Sequence, residues 1–176
     1  MAFDLTAVPE PLRAMLQRRL ETLDAEGGAP AGEAGSLDVI ASSLPLVWAC
    51  SDFVAESCLR DRRLLSWLAT DGRLREAATS EWLAAGFVAG GESAPAAAAA
   101  DEAVFMGTIR RFRRRQLVRI AWRDLASLTD VETVLRELTL LADVCIAAAS
   151  EYAQRSLRER YGVPRGADGA ELELMV

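Results

Sequence analysis

The chain has 176 residues, 51% hydrophobic and 26% charged, a globular balance with enough length to bury a core without disulfides or metals as staples. All twenty basic residues are arginine and there is no histidine, so Ser-His and Cys-His dyads, histidine zinc sites and Glu-x-x-His di-iron bundles cannot be built from it. The net charge of −6 argues against nucleic acid as a partner of the whole surface and leaves any polyanion site local.

The opening "MAFDLTAVPEPLRAML" lacks the basic start and apolar centre of a secretory signal. No apolar run approaches the roughly 20 residues of a membrane span, so the expectation is a cytoplasmic protein without a membrane partner. Three cysteines, Cys50, Cys58 and Cys145, follow no framework spacing and are expected as buried thiols in a reducing compartment.

Leu12, Leu16, Leu20 and Leu23 stand at helical spacing and predict a helix over Pro11–Asp24. The stretch Glu26–Ser36, "EGGAPAGEAGS", is rich in Gly, Pro and small residues and reads as a flexible linker. Residues 1–36 are therefore set apart from a helical domain over 37–162.

Within that domain, Pro45 suits a first helical turn, and Val47, Trp48, Phe53, Val54 and Cys58 continue the spacing to Arg60. Asp61 is placed to cap a short helix containing Leu64, Leu65, Trp67 and Leu68, which stops at an Asp71-Gly72 turn. Another short helix is predicted over Leu74–Phe87. Alanine-rich sequence without interior proline then predicts one long helix over Pro95–Leu125, weakened at Gly107.

Thr129 and Glu132 form the pattern of a capping box before a helix running to Tyr161. Arg158 and Arg160 in its last turn, Gly162 and Pro164 mark its end. Its apolar face is read as Val131, Val134, Leu135, Leu138, Leu141, Ala142, Cys145, Ala149 and Tyr152, packed along most of roughly 48 Å. The tail 163–176 ends in "ELELMV", whose alternation predicts the start of a strand that belongs to a further domain. The fold class expected is all-α, bundle-like, with long helices and that strand stub.

The stretch "RRFRRRQLVRIAWRDL" carries the candidate interaction surface, Arg110, Arg111, Arg113, Arg114, Arg115, Arg119 and Arg123. On a helical wheel Phe105, Ile109, Phe112 and Ile120 group on one side, and Leu117, Val118, Ala121 and Leu125 on another. The arginines fill the remainder without forming a basic stripe. Two readings stay open. The arginines pair with carboxylates such as Asp124, Glu132, Glu137 and Asp143 while their stems cover apolar neighbours, or they dock a phosphate, nucleotide or acidic protein. No nucleophile motif, Walker loop or dinucleotide fingerprint is present, so no catalytic, cofactor-binding or metal residue is assigned.

The segments "SLPLVWACSDFVAESCLRD", "FRRRQLVRIAWRDLASLTDVETVLRELTLLADVCI" and "RERYGVPRGADGAELELMV" together resemble the N-terminal region of bacterial glutamine synthetase adenylyltransferases, the bifunctional adenylylating and adenylyl-removing enzymes. The likeness covers residues 37–176 and is weak over 1–36. It implies a helical lead-in to a nucleotidyltransferase domain that uses ATP and magnesium, with glutamine synthetase and the PII signalling protein as partners. In that family a Gly-x-Gly-Lys-x-Gly-Gly loop and a Ser-Asp-x-Asp pair hold the nucleotide and metal. Neither motif occurs here, so the chain alone is expected to be catalytically silent. A free-standing helical interaction module using Arg110–Arg123 is the competing expectation.

Overall fold

A computed structural model describes residues 5, 6, 8–25, 32, 34–70, 72–89 and 102–172, which hold seven α-helices and no β-strand. The helices are α1 Glu10–Ala25, α2 Ala34–Cys50, α3 Asp52–Arg60, α4 Arg63–Leu68, α5 Ser80–Ala89, α6 Glu102–Leu125 and α7 Val131–Tyr161. The all-α class expected from the sequence is what the chain adopts.

Two apolar clusters organise these helices. The larger takes Leu16 and Leu23 from α1, Ile40, Leu44, Val47 and Trp48 from α2, Val54 and Cys58 from α3, and Leu64, Leu65 and Leu68 from α4. Val118 and Trp122 of α6 complete it. The smaller consists of Ala78, Leu83, Phe112, Ile120 and Leu141, with Val134, Val144 and Cys145 of α7 against its edge. α6 therefore has two buried sides, as the two groups on its wheel imply, except that Leu117 joins the smaller cluster and not that of Val118.

The single helix expected over Pro45–Arg60 is two helices. α2 starts at Ala34, so Pro45 lies inside it, and the pair bends by 118° at Ser51. Ser51 is extended at φ −140°, and its hydroxyl accepts a hydrogen bond from the Val54 N–H that opens α3. A side chain that caps a new helix ends the old one at that point. Arg19 of α1 holds the bend by donating to the Trp48 carbonyl at 2.6 Å and to the Asp52 carboxylate at 2.6 Å. No single helix is long and apolar enough to cross a membrane; α2 and α3 reach that length and composition only as the bent pair.

Other boundaries also differ from expectation. Ala34–Ser36, read as linker, form the first turn of α2 with Ser36 buried, so α2 runs across the boundary drawn at residue 36. A side chain at Gly32 would come within 2.7 Å of the Ala69 carbonyl oxygen, which requires glycine at that close approach; most of the linker otherwise lies outside the described residues. α5 begins at Ser80, not Leu74, because residues 72–76 form turns through the positive φ of Gly72. Residues 95–101 of the expected long helix lie outside the described residues, and α6 ends at Leu125 as expected. Asp61 is not the cap of α4: the N-cap is Arg62, without a side-chain capping bond, and Asp61, one residue earlier, accepts from the Arg63 N–H at 3.2 Å.

α7 opens one residue later than the Thr129–Glu132 pattern implies. Asp130 is the N-cap, accepting from the Thr133 N–H at 2.7 Å. Its end matches the sequence reading, with Gly162 at φ 82° donating back to the Arg158 carbonyl at 2.9 Å. The face assigned to packing holds in part: Leu141 is buried, Val134 and Cys145 pack against the smaller cluster and Tyr152 stacks on Phe105, but Val131 is 68% and Leu135 60% exposed, and Leu138 is exposed as well. Cys50 is likewise exposed, whereas Cys58 is buried and Cys145 half-buried. Beyond Gly162 the chain turns back on itself through a bridge between Arg165 and Glu171; the remainder of the expected strand, 173–176, lies outside the described residues.

Candidate functional site

Arg119 and Arg123 are one helical turn apart on α6 and so share a face. Glu137 stands on α7 between Val134 and Leu141, at the three- and four-residue steps of that helix's buried side. Antiparallel packing of α6 on α7 brings the three together through the short loop 126–130, where Leu128 N–H bonds to the Arg123 carbonyl at 2.8 Å. Ser127 supplies the left-handed residue of that loop at φ 54°.

Glu137 Oε1 accepts from Arg119 Nη2 at 2.8 Å and Oε2 from Arg123 Nη1 at 2.5 Å. All three side chains are at most 3% exposed. The same groups reach the non-helical segment before α5. The Ala78 N–H donates to Glu137 Oε1 at 2.5 Å. Arg119 donates to the carbonyls of Arg73 and Glu76, and Arg123 to that of Leu74. The triad thus satisfies backbone groups of a turn that has no helix or sheet to do so. Burial holds the Arg119 guanidinium below its ordinary range, an effect opposed by Glu137 and reinforced by the like charges of Arg123 and Arg73.

The seven arginines do not form one surface. Arg119 and Arg123 are buried, Arg115 is half-buried with its guanidinium over the Trp67 ring at 5.3 Å, and Arg110, Arg111, Arg113 and Arg114 are exposed. Of the four proposed carboxylate partners, Glu137 takes both buried arginines and the exposed four take none in an ion pair among the described residues. Arg111 instead donates to Thr108 Oγ1 at 3.1 Å.

Sequence reasoning missed the role of the Trp rings. Arg73 lies over Trp67 at 4.8 Å and Arg119 over Trp82 at 5.0 Å. It also missed Gln116, 2% exposed. The only advance signal was their position: a polar residue at a core register, flanked by Phe112 and Ile120.

At the far end of α7 an apolar cavity of about 510 Å³ is lined by Leu157, Tyr161, Pro164 and Leu172 with Gln154 and Arg158 at its sides. Leu157, Tyr161 and Leu172 are each more than half exposed. With Val131, Leu135 and Ile146 they make an apolar flank along α7 that no described residue covers. Phe105 of α6 stacks on Tyr152 at 4.2 Å on the other side.

Among the described residues no group of three His, Cys, Asp or Glu side chains is placed to hold a metal ion, and the chain has no lysine for a phosphate-cradling loop.

The family described as Glutamate-ammonia ligase adenylyltransferase matches residues 41–176. The bifunctional glutamine synthetase adenylyltransferase/adenylyl-removing enzyme of Thioalkalivibrio sulfidiphilus is 38% identical over 98% of this chain and 17% of its own length. That of Pseudomonas aeruginosa is 38% identical over 74% of this chain and 13% of its own length. That of Nitrosococcus oceani is 32% identical over 94% of this chain and 17% of its own length. The chain thus spans under a fifth of the curated relatives it matches.

Proposed function

The chain belongs to the glutamate–ammonia ligase adenylyltransferase family, and from that premise we propose that it is the N-terminal helical support of an enzyme regulating glutamine synthetase. The parent enzyme in this reading moves AMP from ATP to a tyrosine of glutamine synthetase and removes it by phosphorolysis. ATP and magnesium belong to the parent's nucleotidyltransferase domain, and no residue of this chain is assigned to them. Glutamine synthetase and PII are the proposed partners, and the cytoplasm the proposed compartment.

The observation that carries this reading is the uncovered flank of α7. A helix of 31 residues is anchored on one side by the Glu137 clamp and carries Val131, Leu135, Ile146, Leu157 and Tyr161 on the other. Large apolar side chains aligned along a helix are stabilised when further protein covers them. The test fuses this chain to the nucleotidyltransferase domain of a relative and compares hydrogen exchange with the chain alone. Added protection confined to α7 and residues 163–172 is the expected result; an unchanged α7 overturns the reading. The isolated chain is expected to release no AMP from adenylylated glutamine synthetase with phosphate present, and turnover above background overturns that part.

The second reading, a free-standing module that docks an acidic protein, is favoured by Arg110, Arg113 and Arg114, which are exposed and have no carboxylate partner among the described residues. Charge reversal at Arg113 and Arg114 separates the two. Loss of binding to glutamine synthetase or PII by a chain that still folds supports docking, and unchanged binding removes it.

A further inference from the structure

A second cavity, about 320 Å³, lies between the end of α4, α5 and the middle of α6. Its volume sits at the lower end of small-ligand pockets, room for one ring and its substituents. Trp67, Trp82 and Phe112 supply aromatic walls, and each of these rings is braced by a neighbour. Arg73 and Arg115 lie over the Trp67 ring, Arg119 lies over that of Trp82, and Phe87 meets Phe112 edge to face at 5.1 Å. The lining arginines are engaged: Arg73 Nη1 donates to the Trp67 carbonyl at 2.9 Å and to Thr70 Oγ1, and Arg115 has a partner of its own. The rings and one amide are left to recognise a ligand.

That amide belongs to Gln116, which lines the cavity and is 2% exposed. Its Oε1 has no hydrogen-bond partner. A buried amide oxygen left dry is costly, and such atoms are uncommon in folded proteins. The last torsion of a glutamine side chain is soft, so an amide whose oxygen is tied to nothing can turn either end toward an entering group. A hydroxyl both donates and accepts and fits the amide either way round. On α5, Gly86 lines the same space. A glycine inside a helix costs about 1 kcal/mol relative to alanine, and a Cβ at Gly86 would meet nothing within 4 Å, so the missing side chain leaves open room there.

From this juxtaposition we propose that the cavity binds a small neutral phenol. Its ring lies among Trp67, Trp82 and Phe112, beside Gly86, and its hydroxyl pairs with the Gln116 amide. The proposal is independent of the role assigned to α7, since none of the lining residues lies on that helix.

The test is a ¹H–¹⁵N NMR titration of the 176-residue chain near neutral pH, where a phenolic hydroxyl titrating at about 10 stays uncharged. Three probes are compared: phenol, toluene without the hydroxyl, and benzoate with a charge in its place. The expected result is saturable shifts of the Trp67 and Trp82 indole N–H signals by phenol, those of Trp48 and Trp122 staying in place. Toluene should bind about fivefold more weakly, one hydrogen bond being lost, and benzoate more weakly still. Gln116→Leu should reverse the order of phenol and toluene, because the hydroxyl then enters without a partner; a merely structural change would weaken both alike. Gly86→Leu fills the cavity, removes no buried group and raises the helix propensity of α5. It should abolish binding, which keeps the test decisive if Gln116→Leu does not fold. Absence of saturable shifts to about 10 mM, the millimolar limit of specific recognition, overturns the proposal. Toluene or benzoate binding as tightly as phenol, or binding that survives Gly86→Leu, overturns it too.

Discussion

The region built from α1 to α4 and the region built from α5 and α7 share α6 but are held by different forces. The first is a broad apolar core in which Trp48, Trp122, Leu16, Leu44 and Leu68 are all inaccessible to solvent. The second has few buried apolar residues and centres on one carboxylate between two guanidiniums. Dispersion and the hydrophobic effect tolerate many arrangements, whereas a buried ion triad tolerates the one in which every charge is met. The contrast teaches why α7 can be firmly oriented while most of its surface remains exposed.

Removing Glu137 should break that contrast most sharply. Glu137→Ala leaves two buried guanidiniums facing each other, and a loss of about 3–5 kcal/mol is expected by urea unfolding, with α5 and α7 losing protection first. Replacing all three members by apolar residues often restores stability in such triads. Here it should not, because the carbonyls of Arg73, Leu74 and Glu76 and the Ala78 N–H lose their partners as well. Recovery of the parent midpoint by a triple apolar variant refutes the idea that the triad organises that turn.

In the apolar region Leu44→Ala should cost about 3 kcal/mol through lost transfer energy and a cavity. The loss should be spread over α1 to α4, as hydrogen exchange can read. Phe105→Ala removes the stack on Tyr152 and should cost about 1 kcal/mol beyond its buried area, loosening only the start of α6 and the second half of α7. Leu135→Ser, on the uncovered flank, should change stability by less than about 0.5 kcal/mol while reducing any self-association seen by sedimentation.

Alkali gives a sharper separation than salt. Burial pushes the Cys58 thiol in the apolar region from 9.0 up to about 12. A group that ionises more readily unfolded than folded draws the chain toward unfolding once pH passes its unfolded value, so stability should fall as pH rises above 9.0. Cys58→Ala should remove that part of the slope. At pH 8 iodoacetamide should label exposed Cys50 well before Cys58, as mass spectrometry of the intact chain reads directly. At the acid end, the backbone N–H of Thr133 holds the Asp130 carboxyl below its usual 3.8. The capping contribution should therefore persist above that value and fade as pH falls through the lowered one.

Much of this was legible along the chain. Leu12 to Leu23 gave α1, the two apolar groups on α6 foretold its two buried sides, and Gly162 with Arg158 marked the end of α7. The bend at Ser51 was not, because Pro45 draws attention to itself while a capping serine six residues beyond it looks ordinary. Half of the candidate site was also legible. Glu137 stood among four possible partners for the arginines, but nothing in spacing distinguishes it from Glu132 or Asp143 until α7 is laid against α6. Gln116 gave only the signal of a polar residue at a core register and Trp82 none, since their surroundings depend on a turn and a short helix whose boundaries were misplaced.

What the sequence by itself determined is the all-α class, the existence of most helices, the stop of α7 at Gly162 and the lack of any histidine-based dyad. Those follow from local causes: periodicity, propensity and missing residue types act within a few residues of one another. Only the tertiary structure decided which side of α7 is covered. Val131, Leu135, Ile146 and Leu157 are left outward, while a glutamate turned inward must find its charges. Glu137 found both on α6, and Val134, Leu141 and Cys145 pack on the same side of α7.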